Sequence, residues 1–496
     1  MNFASERYWP SYLRKQVSRI YAGFLDASFR WHDGTSIVNA FAKRTIRNHS
    51  GFALIPFLLV LVTGASFVLL RGLNAVVAQS YRDEQTTRAL AEAKAALIGY
   101  AMTYSELHPG QPQGFLPCPD TDGNGMPNPP CGTSSQSFIG RLPWRILGLP
   151  PLRDAAGECL WYAVSGNYKN NPKISLTSDT DGQFIVQDGS GNEIVGAAAA
   201  PETQAIAIIF APGAVLGVQN RSASAPNECG STNLGDPVNQ PANYLDSRDG
   251  INNFTGNPPL PTPIPSAFVS PPGVIADFND KMLAITPQDF KLVYARMDRW
   301  VADRAQQCLA ADETPHSWAA ALDLPEENPP ELTADSDQRF GRIPDTPSPP
   351  PGWNNDPDVN VGGMCFTDVG GFTGLGWWWW DTWREMVFYA VDAASSPGSG
   401  TSTPLQLTSG TPPIPQDSPF IVAVAGRKLS GQQRSNATQK ADIANYLEDH
   451  NEPNLAANTS PGSAGHIPTG DEQFVTTPTA AGTPFNDVVC NDSGCP

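Results

Sequence analysis

Leu160-Trp-Tyr-Ala-Val164, followed by AIAIIFAPGAVLGVQNRSA from Ala205, is written a second time as Val387-Phe-Tyr-Ala-Val391, followed by FIVAVAGRKLSGQQRSNA from Phe420. In each copy a short apolar run precedes a longer one. The longer run ends in Gly, Leu and Arg at equal spacing: Gly213, Leu216 and Arg221 against Gly426, Leu429 and Arg434. Two more landmarks follow in the same order. Asn243-Tyr-Leu-Asp246 and Phe278-Asn-Asp280 match Asn445-Tyr-Leu-Glu448 and Phe485-Asn-Asp487. Ordered agreement of this kind is poorly explained by chance. The unequal intervals point to a duplicated domain with variable loops rather than a solenoid of fixed period.

The runs at 159–164, 205–210, 386–391 and 420–425 are short, rich in β-branched and aromatic residues, and mostly bounded by Gly, Pro or Ser, which predicts strands. The segment 287–309 reads as a helix joining the copies, and as the second copy's counterpart of Leu90–Tyr104. Residues 326–358 are Pro-rich and read as a linker. The expected fold class is α+β: two related subdomains, 107–300 and 301–496, each a small antiparallel sheet packed on helix, preceded by a long membrane-spanning helix.

Composition agrees with a loop-rich body. The chain has 496 residues, of which only 16% are charged, with 48 Pro and 44 Gly. A net charge of -18 argues against nucleic acid as a partner, because nothing offsets phosphate repulsion. The first fifty residues are basic (Arg7, Arg14, Lys15, Arg19, Arg30, Lys43, Arg44 and Arg47 against Glu6, Asp26 and Asp33), so the acid lies almost wholly in the remainder.

Phe52 to Leu70 carries no charge and would span roughly 30 Å of hydrocarbon as a helix. With Lys43, Arg44 and Arg47 just before it, the positive-inside rule places residues 1–51 in the cytoplasm and the body outside. A buried core helix and a secretory signal cut near Ala78 are the alternatives. All eight cysteines follow this run, as an oxidising compartment would favour. The two shortest loops suggest the pairs Cys118–Cys131 and Cys490–Cys495.

From Tyr81 to Glu106 the sequence is rich in Ala, Leu, Glu and Lys, and Leu90, Ala93, Leu97, Ala101 and Tyr104 fall at helical steps. A basic leader, Ser50-Gly51-Phe52, an apolar run and an amphipathic continuation together resemble a type IV prepilin or type II secretion pseudopilin. The resemblance implies cleavage after Gly51 by a prepilin peptidase, methylation of Phe52, and assembly with other pilin-like subunits from the bacterial inner membrane. It covers the leader, 1–51, and the helix, 52–106, and the head only in general outline. The family usually places Glu at the fifth mature position, where this chain has Pro56.

Asp120, Asp122 and Asn124 alternate as oxygen ligands, with the carbonyl of Met126 beyond Gly125, like the first half of a calcium loop. The twelfth position is Cys131 rather than a bidentate acid, and a tight Asx-rich turn stapled by Cys118–Cys131 is the competing reading. Asp179-Thr-Asp181-Gly182 is a weaker version. Trp377, Trp378, Trp379 and Trp380, with Trp383, suit partner contact if exposed and core if not. Arg221 and Arg434 would satisfy buried carbonyls and pair with acids, or else bind a ligand carboxylate. No GxSxG, HExxH or GxxxxGK occurs, so no enzymatic activity is expected. The sequence therefore predicts a minor, tip-located pilin-like subunit with a role in adhesion. A membrane-anchored periplasmic or surface binding protein, not assembled into a filament, is the alternative.

Overall fold

The computed structural model describes residues 54–273, 275–311, 316, 319–320, 322, 339–343, 382–392, 404–409, 414–449, 451, 473–480 and 483–496. The described residues divide between two units, with the boundary between Leu73 and Asn74. Of the first, the described part is the start of helix α1, Leu54–Leu107. Everything that follows lies in the second.

The duplication is a property of the three-dimensional fold. Strands β1 (Phe138–Arg141), β2 (Trp161–Val164), β5 (Ala207–Ala211) and β9 (Lys281–Ile285) form an antiparallel sheet in the order β1-β2-β5-β9. Strands β10 (Phe340–Arg342), β11 (Val387–Val391), β14 (Phe420–Val424) and β16 (Val488–Asn491) repeat that order as β10-β11-β14-β16. Register is kept as well: Arg141 faces Trp161 across β1–β2, and Arg342 faces Phe388 across β10–β11.

Each copy adds a three-stranded side sheet of the same mixed kind. In the first, β3 (Phe184–Gln187) pairs antiparallel with β4 (Glu193–Val195) and parallel with β8 (Ser266–Val269). In the second, β12 (Leu405–Ser409) does the same with β13 (Ile414–Ser418) and β15 (Gln473–Val475). A short ribbon of β6 (Ser247–Arg248) and β7 (Ile251–Asn252) belongs to the first copy alone among the described residues.

The apolar strands are continuous because both faces of the first sheet are covered. Side chains alternate along a strand. Tyr162, Val164, Ala207 and Ile209 enter the main core with helix residues Ala93, Leu97 and Ala101. Trp161, Ala163, Ile208 and Phe210 enter a second core against Phe184 and Phe268 of the side sheet. Each fully buried large side chain of this kind stabilises the fold by about 1.5–3 kcal/mol before entropy.

Helix α2, Lys291–Ala311, packs on β14 and β16 with Val293, Met297, Val301 and Ala305 inward. Its start is set by Thr286-Pro-Gln-Asp289, where the Asp289 carboxylate accepts from the Thr286 N–H at 2.8 Å. Lys94 of α1 pairs with the same Asp289 at 2.7 Å and donates to the Ala284 carbonyl at 2.9 Å, tying the first copy's helix to the second's.

Two expectations are corrected. Among the described residues no helix is long and apolar enough to cross a membrane. The described charge-free part of α1, residues 54–70, is about 25 Å long as a helix, against roughly 30 Å of hydrocarbon. The rest of its length is the charged, amphipathic stretch. The expected membrane-spanning helix falls with this, and so does single-pass inner-membrane placement with a cytoplasmic amino terminus and a periplasmic body. Residues 326–358 are also not linker throughout, since they contain buried strand β10.

Candidate functional site

The Gly–Leu–Gln–Arg block of each copy builds the same polar box. Arg221 donates to the Asn243 carbonyl at 2.9 Å and the Gly213 carbonyl at 3.0 Å. Arg434 donates to the Asn445 carbonyl at 2.6 Å and the Gly426 carbonyl at 3.1 Å. Gln219 bridges the Leu216 N–H to Asp246, and Gln432 bridges the Leu429 N–H to Glu448. Asp280 and Asp487 accept from the backbone N–H of Asp246 and Glu448, and from Asn253 and Asn451, at 2.8–3.0 Å.

A Tyr closes each box between two guanidinium groups. Tyr244 lies 4.4 Å from both Arg141 and Arg221, and Tyr446 lies 5.4 Å from Arg342 and 4.3 Å from Arg434. Arg141 reaches the Val238 carbonyl at 2.8 Å, and Arg342 the Lys440 carbonyl at 2.9 Å. Burial drives the Asp280 and Asp487 carboxyls well above the usual carboxylate range, and the neighbouring Asp246 and Glu448 push the same way. Arg221 and Arg434 thus spend their donors on internal carbonyls and acids, which is a structural role.

The boxes differ in their acid. Arg221 pairs with Glu158 of its own copy at 2.8 Å. Arg434 pairs with Asp179 of the first copy at 2.6 Å, and Asp179 also accepts from the Lys428 N–H. Arg427 adds 3.0 Å to Asp181 and donates to the carbonyls of Ser178, Thr180 and Glu202. The weak calcium-like Asp179–Gly182 turn is therefore the clamp that joins the copies.

The Asp120 loop feeds its oxygens to itself. Asp120 is fully buried, and its carboxylate accepts from the Gly123 and Gly125 N–H groups at 2.6 Å. Asp122 accepts from the Asn124 N–H at 3.0 Å, and Asn124 from the Met126 N–H at 2.7 Å. Burial lifts Asp120 to about 6, against those two N–H donors. Among the described residues no group of three or more His, Cys, Asp or Glu is arranged to hold a metal ion.

Cys118–Cys131 and Cys490–Cys495 form disulfides in this fold, and Cys159–Cys229 forms a third that spacing did not suggest. Trp383 is buried in the main core. Gly51, Phe52 and Trp377 to Trp380 lie outside the described residues.

Among the described residues, the longest run of exposed large apolar side chains lies at the beginning of α1. Phe57, Leu58, Leu59, Val60, Leu61 and Val62 are each 54–68% exposed. Six consecutive helical positions sweep the whole circumference.

No family model, curated protein or solved structure matches this chain. The site therefore has to be read from its own geometry. The signal that was missed lies in the sequence nonetheless: Gly140-Arg-Leu-Pro143 recurs as Gly341-Arg-Ile-Pro344 and supplies the inner Arg of each box.

Proposed function

We propose that this chain is a pilin-like structural subunit that joins its neighbours through the beginning of helix α1. One observation carries the reading. The first copy's helix has 54 residues and the second copy's has 21, so the shared fold does not require the extra length. Helices that are apolar all round are normally buried. Here that part is bare, and an exposed run of six large apolar side chains marks an interaction surface. Covering it against other subunits' helices would contribute on the order of 5–10 kcal/mol before ordering costs. The partners are then other pilin-like subunits, and the bulky duplicated head suits a tip position.

The test is the mass and terminal sequence of the protein recovered from cells with and without a prepilin peptidase. A peptidase-dependent terminus at methylated Phe52 is expected. An intact Met1 leader in both strains would sink the pilin-like reading and favour a binding protein that does not assemble.

A further inference from the structure

The contact between the copies runs one way. The second copy's box loop, 426–434, closes on the first copy's acidic turn, 179–182. Arg427 pairs with Asp181 at 3.0 Å and donates to the Ser178 carbonyl at 2.8 Å, and the Lys428 N–H donates to Asp179 at 2.6 Å. Gly431 lines the same junction, with Asp179 and Glu202. The first copy's box loop, 213–221, is built the same way inside. Asn279 donates to the Ala214 carbonyl at 2.7 Å, as Asn486 does to the Arg427 carbonyl at 2.5 Å. Its outer face lies open instead. Val215, at the place of Lys428, is 53% exposed, and Val218, at the place of Gly431, is 101% exposed. Among the described residues the Val215 N–H has no acceptor, where the Lys428 N–H has Asp179.

A contact between like units that is not returned is heterologous, and it leaves one half of the pair open on each unit. Here the open halves are the first copy's box loop and the second copy's counterpart of the acidic turn. The acidic turn precedes β3, and the stretch that precedes β12 is 393–403, which lies outside the described residues. Charge agrees with that pairing. The second copy's loop carries Arg427 and Lys428 and meets two aspartates. The first copy's loop has Ala214 and Val215 in those places, and 393–403 contains no charged residue. The acidic turn itself is already taken by its own chain.

We propose that the first copy's box loop, through Val215 and Val218, docks on the second copy of another molecule of this chain, at 393–403. The contact repeats between molecules the one made inside each of them. It deepens the proposed subunit role and rests on it, naming a second molecule of this chain as the neighbour and the head as a contact besides α1. Heterologous contacts close into a ring or extend as a line. A ring of heads keeps the tip position.

The experiment replaces Val218 by the photo-crosslinker p-benzoylphenylalanine in the full chain. Unlabelled and heavy-isotope-labelled molecules are mixed and illuminated, and the linked peptides are mapped by mass spectrometry. Mixed-isotope links from position 218 to the second copy, centred on 393–403, are expected. Adding Val215→Asp should cut their yield about tenfold, because docking would bury an unpaired carboxylate. Both positions are exposed, so neither change disturbs the core. Links confined to one isotope, mixed links to the first copy or to α1, no link at all, or an unchanged yield with Val215→Asp would overturn the proposal. Multimers that persist in sedimentation without such links would sink this contact and leave assembly through α1 standing. Links and multimers that both survive Leu58→Gln with Leu61→Gln would do the reverse.

Discussion

The two copies share sheet order, register, side sheets and polar box, yet hold themselves together differently. The first is stapled. Cys159, one residue before Leu160, is bonded to Cys229, whereas the second copy carries Met386 at the matching place. The first also pairs its box arginine internally, while the second sends Arg434 and Arg427 across to Asp179 and Asp181. The second copy is thus organised partly by the first. The first alone carries a helix longer than the fold requires, which separates what the domain needs from what this chain adds.

The staple gives the largest expected difference. Closing a loop of 70 residues restricts the unfolded chain by about 4 kcal/mol. Replacing Cys159 and Cys229 by Ala should lower unfolding free energy by about that amount in denaturant melts. A loss below about 1 kcal/mol would show that the first copy does not depend on it.

Next come the box arginines. Both are nearly buried, at 7% and 6% side-chain exposure, so removing either strands an acid and several carbonyls, for about 3 kcal/mol. Arg434→Gln should also expose the clamp between copies to limited proteolysis, and Arg221→Gln should not. Equal cleavage patterns would mean the two boxes are interchangeable.

The glycines offer a smaller, matched pair. A Cβ on Gly213 would meet only the Asn279 side chain, at 2.7 Å, whereas one on Gly426 would meet the Asn486 side chain at 2.5 Å and its backbone carbonyl oxygen at 2.6 Å. Only Gly213 has a left-handed backbone, with φ +67°. Gly213→Ala should therefore destabilise by about 1–2 kcal/mol through backbone strain, and Gly426→Ala through a main-chain overlap that Asn486→Gly does not relieve, whereas Asn279→Gly relieves the side-chain part at Gly213. Thermal melts of the two variants, each alone and with its Asn change, decide it.

The smallest effect is a slope. Asp280, facing Asp246, Asn253 and Arg221, and Asp487, facing Glu448 and Asn451, have folded-state carboxyls raised well above their unfolded range. A raised carboxyl contributes stability that is full below its unfolded value near 3.9 and is lost as pH rises through the folded value. Stability should therefore decline from pH 4 toward neutral, and Asp280→Asn with Asp487→Asn should flatten that decline. An unchanged slope in the double variant would assign it to other acids.

The repeat was legible because its landmarks are contiguous apolar runs and short polar tags. Strand β10 was not, because Gly341 and Arg342 sit among prolines that read as linker. The inner arginines were hidden for a related reason. Arg141 finds the Val238 carbonyl 97 residues away, and local pattern carries no trace of such a partner. The side sheets depend on parallel pairing between distant segments, which periodicity cannot register. Residues 52–70 read as a membrane span from their length, apolarity and flanking basic residues, but among the described residues no helix is long and apolar enough to cross a membrane. At Asp120 the alternating oxygens fit a cation and a self-capped turn equally well until the donors to each oxygen are known.

The most direct measurement is sedimentation velocity of the purified chain beside a Leu58→Gln, Leu61→Gln variant, with circular dichroism to verify the fold of both. Assembly through α1 requires multimers in the unaltered chain and a shift toward monomer in the variant. A monomeric unaltered chain, or identical multimers in both, would contradict it.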